Sequence, residues 1–399
     1  MTNSNTLFKR NIALLVLAYG LVLFSYPFLR STTTAFFLES FGAKASPKAW
    51  LFSILALTLA VSVFNQIQKK AGVKVTVAII GAISLVLFPI GLNYVHDYAW
   101  VNYALYIWKE IYIVLLIHKI FAFCNAYMTI EQIKKFYGPI GAVGSIGGIL
   151  GGQLTSIMLK KWHLGMAYPH NLGMLAIVLS CIIFFLVKVE DKTVLGQNEK
   201  ISPLASIKPV RHYVYLIAAI IALSQFCINI ADLNFNLSLD QTLTNTIDKT
   251  SYMGEIYSYI NMITLAIQFL LIPLLLRFVS NNKTLYSIPF VFFIAHILGL
   301  MVTSDLWVIA AIFMTFKSVD YSIFVYSKEI LYHPLQAEQK YGAKYLTDMI
   351  SYRASKAAIA FFLIYFQSPA VLNTLMFIFL LLWLIALYLL FKQKHSLKQ

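Results

Sequence analysis

Runs of about twenty apolar residues recur from one end of this 399-residue chain to the other. Each is long enough, as a helix, to cross the ~30 Å of hydrocarbon in a bilayer. Twelve can be counted: 12–29, 49–66, 73–95, 98–123, 139–159, 171–189, 212–233, 253–276, 284–303, 305–327, 345–367 and 370–391. Charged residues make up 12% of the chain and hydrophobic ones 60%, against ~25% charged in soluble proteins. No soluble domain of this length has the interior to hide so much apolar side chain. The expected fold is an all-α polytopic membrane protein with twelve transmembrane helices. The first run continues through Pro27 and Phe28 into Arg30 without a small-residue cleavage site, which predicts a retained helix rather than a signal peptide.

The formal charge of +15 invites a nucleic-acid reading, but its distribution argues against one. With the N-terminus placed in the cytoplasm, about twenty basic residues fall in cytoplasmic segments, Lys9, Arg10, Lys69, Lys70, Lys134, Lys135 and Lys208 among them. Roughly five fall opposite: Lys44, Lys48, Lys160, Lys161 and Lys249. This positive-inside bias puts both termini in the cytoplasm and gives the basic residues anionic lipid as a partner, not nucleic acid. The longest polar connection, carrying Glu190, Asp191, Lys192, Pro203, Lys208 and Pro209, follows the sixth run. The expected organisation is a six-helix bundle over 1–189, a cytoplasmic linker over 190–210 and a second six-helix bundle over 211–399. Six plus six is the arrangement of major facilitator transporters, whose halves rock about a midplane site.

Ionisable residues interrupt these runs at Lys109, Glu110, Asp232, Lys317, Arg353 and Lys356. A charge at membrane depth costs at least ~2.5–3.5 kcal/mol on insertion scales, so it ordinarily faces a partner or a water-filled cavity. Mostly basic groups of this kind imply a central site for an anionic solute. Lys109 and Glu110 are neighbours, point about 100° apart on a helix and need not pair. Snorkelling at an interface is an equally good reading of Lys109, His118 and Lys119. Lys317 and Asp320 are three apart and share a face, as a salt-bridged or switchable pair would. Arg353 and Lys356, also three apart, are both positive and repel unless an anion or a carboxylate lies between them. They are the first choice for contact with a substrate's negative charge, the alternative being pairing with Asp232, Asp320 or Asp348.

The fifth run holds Gly144, Gly147, Gly148, Gly151 and Gly152, with pairs four apart that line one helical face. Such a face admits another helix backbone to backbone, either as a static contact or as a sliding one. Pro27, Pro89, Pro139, Pro273, Pro289 and Pro369 lie in or at the ends of runs and are read as shaping the helices. Cys124, Cys181 and Cys227 have no paired spacing and are read as packing residues. The histidines are scattered, so neither a metal site, a cofactor nor an enzyme acting on lipid phosphate is expected.

The segment Asp320-Tyr-Ser-Ile-Phe-Val-Tyr-Ser-Lys-Glu-Ile-Leu-Tyr-His-Pro-Leu335 resembles the signature K-Y-S-L-F-D-P-T-K-E-M-A-Y-I-P-L of the non-mitochondrial ATP/ADP translocases of intracellular bacteria and plastids. Further on, Lys344-Tyr-Leu-Thr-Asp348 and Ser355-Lys356-Ala357 match the family's K-A-A-x-D and G-K-S. Asn125-Ala-Tyr-Met-Thr-Ile-Glu131-Gln-Ile-Lys134-Lys135-Phe136-Tyr137 resembles its A-N-E-x-x-x-V-E-E-A-K-R-F-Y. The matches run in order over nearly the whole chain, which is identified as a divergent, short member. The resemblance implies functional charges at positions that are Thr33, Ala126, Asp232 and Lys356 here, so two keep a charge and two do not. Arg30, one turn before Thr33, offers some of the missing positive charge.

These readings together lead to a secondary carrier in a bacterial inner membrane, a monomer that moves a nucleotide or related organic anion by alternating access, through exchange or ion coupling. The alternative is a proton-coupled major facilitator transporter of an unrelated small solute. Arg30, Asp232, Lys317, Arg353 and Lys356 are the candidate substrate-binding residues. Glu110, Asn125, Asp320, Lys328 and Glu329 are the candidates for coupling or gating.

Overall fold

The computed structural model describes residues 2–128, 130–188, 203–301 and 305–396, and among these there are helices and no strands. Of the expected linker over 190–210, residues 190–202 lie outside the described residues. The main helices are α1 (Thr2–Phe41), α2 (Ser46–Tyr94), α3 (Ala99–Tyr127), α4 (Ile130–Ser156) and α5 (Ala167–Phe185). They are followed by α6 (Arg211–Thr242), α7 (Thr246–Ala266), α8 (Asn281–Met301), α9 (Leu306–Val319), α10 (Tyr352–Tyr365) and α11 (Pro369–Ser396). Helix is what an apolar chain must form in lipid, where only internal hydrogen bonds satisfy the backbone.

Among the described residues each of the twelve apolar runs is helical apart from a few residues at its ends. Nine stretches among the described residues are long and apolar enough to cross a membrane, and one of them, Ala43–Tyr94, holds two of the runs. These two are separated at Gly72, whose φ of 84° an L side chain rarely adopts. The runs at 98–123, which carries Lys109 and Glu110, and 345–367, which carries Asp348, Arg353 and Lys356, are not among the nine. Among the described residues four π-turns interrupt the ladder, at Ile157–Lys161, Ile267–Leu271, Asp320–Phe324 and Tyr345–Ser351. Such turns gather at functional sites, and two of these four adjoin the charges of α9 and α10.

The chain divides into two compact units. The first comprises 1–42, 55–197 and 243–262, and the second 43–54, 198–242 and 263–399. In the first unit α1 is the central element and packs on α3, α4 and α5. Its core includes Val22, Leu29, Phe88, Tyr112, Leu116 and Phe184, all buried. In the second, α6 packs on α9, α10 and α11. Aromatic pairs set its core, with Phe235 stacked on Phe313 at 4.7 Å and Phe292 on Phe316 at 3.8 Å, beside a fully buried Trp383.

The glycines of α4 serve two faces of that helix rather than one. A Cβ at Gly147 or Gly151 would strike the backbone of α1 at Gly20 or Phe24. A Cβ at Gly152 would lie 2.5 Å from Gly254 O and 2.9 Å from Ser258 Cβ, both on α7. Adjacent residues point about 100° apart on a helix, so Gly147 and Gly151 face one neighbour while Gly148 and Gly152 face the other. Gly152→Ala is expected to lower stability by about 1–3 kcal/mol, since backbone cannot yield as a side-chain tip does. Gly141, with nothing within 4 Å of its Cβ position, is the control. Its alanine variant is expected to be neutral or stabilising by up to ~1 kcal/mol. Thermal unfolding of the two purified variants tests this contrast, and equal midpoints would refute it.

Candidate functional site

In the second unit the charges meet inside the bundle. Asp232, on the buried side of α6, accepts a hydrogen bond from Asn236 Nδ2 at 3.1 Å, one turn along the same helix. Its other oxygen lies 3.4 Å from Lys317 Nζ on α9, with the two side chains only 12% and 9% exposed. Asp320 is buried where α9 passes into its π-turn and accepts from Ser224 Oγ at 3.4 Å. Lys317, Lys356 and Lys328 all act on it electrostatically. Lys317 thus binds Asp232 across the helices while also acting on Asp320, its neighbour three residues on. Helical side chains lean toward the helix N-terminus, which carries the lysine away from a carboxylate three residues downstream and toward α6.

Arg353 and Lys356 lie in the first turns of α10, directly after the π-turn Tyr345–Ser351, and both are half-buried. Lys356 Nζ stands 5.1 Å from the Tyr352 ring centroid. Arg353 makes no hydrogen bond or ion pair among the described residues. Lys317 thus links the two carboxylates, bound to Asp232 and acting with Lys356 and Lys328 on Asp320.

The signature segment is pinned locally. Lys328 binds Asp348 at 2.7 Å, and Lys344 binds Glu329 at 2.5 Å. Tyr332 OH and Thr347 Oγ1 are 2.6 Å apart, and burial beside Asp348 pushes the Tyr332 phenol above its ordinary value. The structure thus gives Lys328 and Glu329 partners in the segment 344–348 that leads into α10.

The first unit holds a second constellation. Lys109 is buried and binds Glu110 at 2.9 Å while its Nζ lies 3.7 Å from the Tyr106 ring centroid. The two neighbours pair after all: a buried ammonium needs a counter-charge, and the flexible lysine stem reaches the adjacent carboxylate. Neither Lys109 nor Lys119 snorkels. Lys119 is buried and donates to Asn65 Oδ1 at 2.8 Å. Glu110 also accepts from Tyr26 OH at 3.5 Å. Arg30, half-buried on α1, lies between two rings, 5.4 Å from Tyr26 and 4.0 Å from Tyr257. Thr33 is buried and donates to Leu29 O at 2.6 Å. The side chains of Asn125 and Ala126 lie outside the described residues.

A further cluster in the first unit joins Glu255, Ser156, Lys160 and Ser251. Glu255 on α7 accepts from Ser156 Oγ at 2.6 Å and Lys160 Nζ at 3.0 Å, and Ser156 lies 2.8 Å from Ser251 Oγ. The signal was present as a lone glutamate in the eighth apolar run, but nothing in the sequence links it to a lysine 95 residues away. Cys124, Cys181 and Cys227 are buried, and no group able to hold a metal ion occurs among the described residues.

Fold and buried charges together define a class: a multi-pass helical membrane protein with ionised groups held among its spans. Residues 92–394 match the family described as TLC ATP/ADP transporter, and the chain belongs to that family. Among its relatives, ADP,ATP carrier protein 3 of Rickettsia conorii is 26% identical over 313 residues, covering 66% of this chain and 62% of the relative. The same carrier of Rickettsia prowazekii is 24% identical over 310 residues, with the same coverage. The chain thus spans less than two thirds of the length of these relatives. Among solved structures, a mutant of the nucleoside transporter NupG superposes with a TM-score of 0.70 at 12% identity, covering 95% of this chain and 99% of that one. The POT family transporter PepTSo does so at 0.66 and 11%, covering 98% of each. These likenesses establish the major-facilitator-like fold.

Proposed function

We propose that this protein is a secondary carrier, not an enzyme, which moves a nucleotide or related organic anion across a bacterial inner membrane by alternating access. The observation that carries this reading is the gathering of Lys317, Lys328 and Lys356 about the buried Asp320, with the half-buried Arg353 one turn from Lys356 on α10. Cations held at membrane depth against the cost of burial mark an anion site. Family membership and Rickettsia relatives named ADP,ATP carriers support a nucleotide as that anion. An anionic group on Arg353 and Lys356 stabilises whichever state presents both, and this difference in binding energy shifts the population of states. Asp320, buried among three cations, is the proposed coupling residue, with Glu110, Asn125, Lys328 and Glu329 in gating roles.

Uptake of labelled nucleotide by proteoliposomes, with and without nucleotide inside, tests this reading. Uptake that requires internal nucleotide marks an exchanger. Uptake that collapses with the proton gradient marks a symporter. No nucleotide uptake under either condition refutes the reading.

The orientation is tested separately. The basic asymmetry places both termini in the cytoplasm. A membrane-impermeant thiol reagent applied to intact cells is therefore expected to label cysteines introduced at the exposed positions Lys44 and Asp248, and not one at Glu199. Labelling at Glu199 alone would invert the topology.

A further inference from the structure

The planar guanidinium of Arg30 lies on a ring. Its Cζ is 4.0 Å from the centroid of Tyr257, which is nearly buried at 7% exposure, and 5.4 Å from that of Tyr26. Arg30 itself is half-buried. A guanidinium at this distance covers a ring face, and turning it aside would uncover that face. Both rings are held from behind. Tyr26 hydrogen-bonds Glu110, which Lys109 anchors. Tyr257 is carried by α7, whose Gly254 packs against the Gly152 backbone and whose Asn261 donates to Tyr257 O at 2.7 Å.

An arginine attracted to a ring face is attracted more strongly to a phosphate, with which it forms paired, charge-assisted hydrogen bonds. A nucleotide carries both a phosphate and a planar aromatic base that stacks on tyrosine irrespective of sequence. We propose that the face of Tyr257 covered by Arg30 is the seat of the substrate's base, uncovered when Arg30 turns to the phosphate of the same molecule. The ring thereby makes base occupancy conditional on phosphate binding. It selects nucleotides over simple phosphate esters. This inference rests on the nucleotide reading above and specifies which residue recognises the base.

The test uses the purified full chain and two probes, adenosine monophosphate and ribose 5-phosphate, which differ by the base alone. The wild type is expected to bind adenosine monophosphate about ten- to hundredfold more tightly. Tyr257→Leu is expected to remove that advantage without weakening ribose 5-phosphate, since Arg30 then has no ring to leave before it reaches the phosphate. Tyr257→Phe keeps the ring and is expected to keep the advantage, and Tyr257→Met serves if the leucine variant does not fold. Arg30→Gln is expected to weaken both probes by similar factors. Equal binding of the two probes by the wild type, or equal losses for both in Tyr257→Leu, overturns the seat while leaving nucleotide binding intact. Binding of neither probe by the wild type overturns the nucleotide reading, and this inference with it.

Discussion

Lys317→Met is expected to destabilise the protein by about 3–5 kcal/mol, because it removes one partner of a buried ion pair and leaves the other uncompensated. The pair is well inside the second unit, 3.4 Å apart with side-chain exposures of 9% and 12%, so solvent does not screen it away. Methionine fills the volume of the lysine stem but leaves Asp232 and Asp320 buried with fewer cations. The reverse change is milder. Asp232→Asn still accepts from Asn236, and Lys317 still acts on Asp320. It is expected to yield folded, monodisperse protein with little transport. Combining the two substitutions should recover part of the loss, since an apolar–amide pair leaves one fewer buried charge. Thermal unfolding in detergent of the two single variants and the double reads all three. A Lys317→Met protein as stable as the wild type would show that the pair is open to water, not buried.

Lys356→Ala is expected to weaken substrate binding roughly ten- to hundredfold, the loss of one charge-assisted contact of ~1.5–3 kcal/mol. Lys356→Arg should keep part of the affinity, since the charge remains and only its geometry changes. The competing role is electrostatic support of Asp320, on which Lys356 acts. In that case stability falls and affinity in the folded fraction stays. Measuring unfolding and nucleotide binding on the same preparations separates the two. A destabilised protein with wild-type affinity would remove Lys356 from the substrate site.

Much of this protein was legible along the chain. Over the described residues the twelve apolar runs are helical apart from their ends, because in lipid each run must satisfy its own backbone and no neighbour need be known to infer the helix. The signature from Asp320 to Leu335 led to the family that residues 92–394 match. Partners were another matter. Sequence spacing suggested Lys317 with Asp320 and left Lys109 and Glu110 apart. In the structure Lys317 reaches across to Asp232, and the two neighbours pair.

Hydropathy and local spacing are properties of a segment, and so the sequence by itself determined the helices, the membrane class and the residues that carry charge within the spans. Which ion meets which, the two faces of the α4 glycines, Arg30 on the Tyr257 ring and Glu255 with Lys160 were decided by tertiary structure alone. Each depends on how separate helices are rotated and packed. A rotation of 100° per residue redirects a side chain completely while leaving the composition of its helix unchanged.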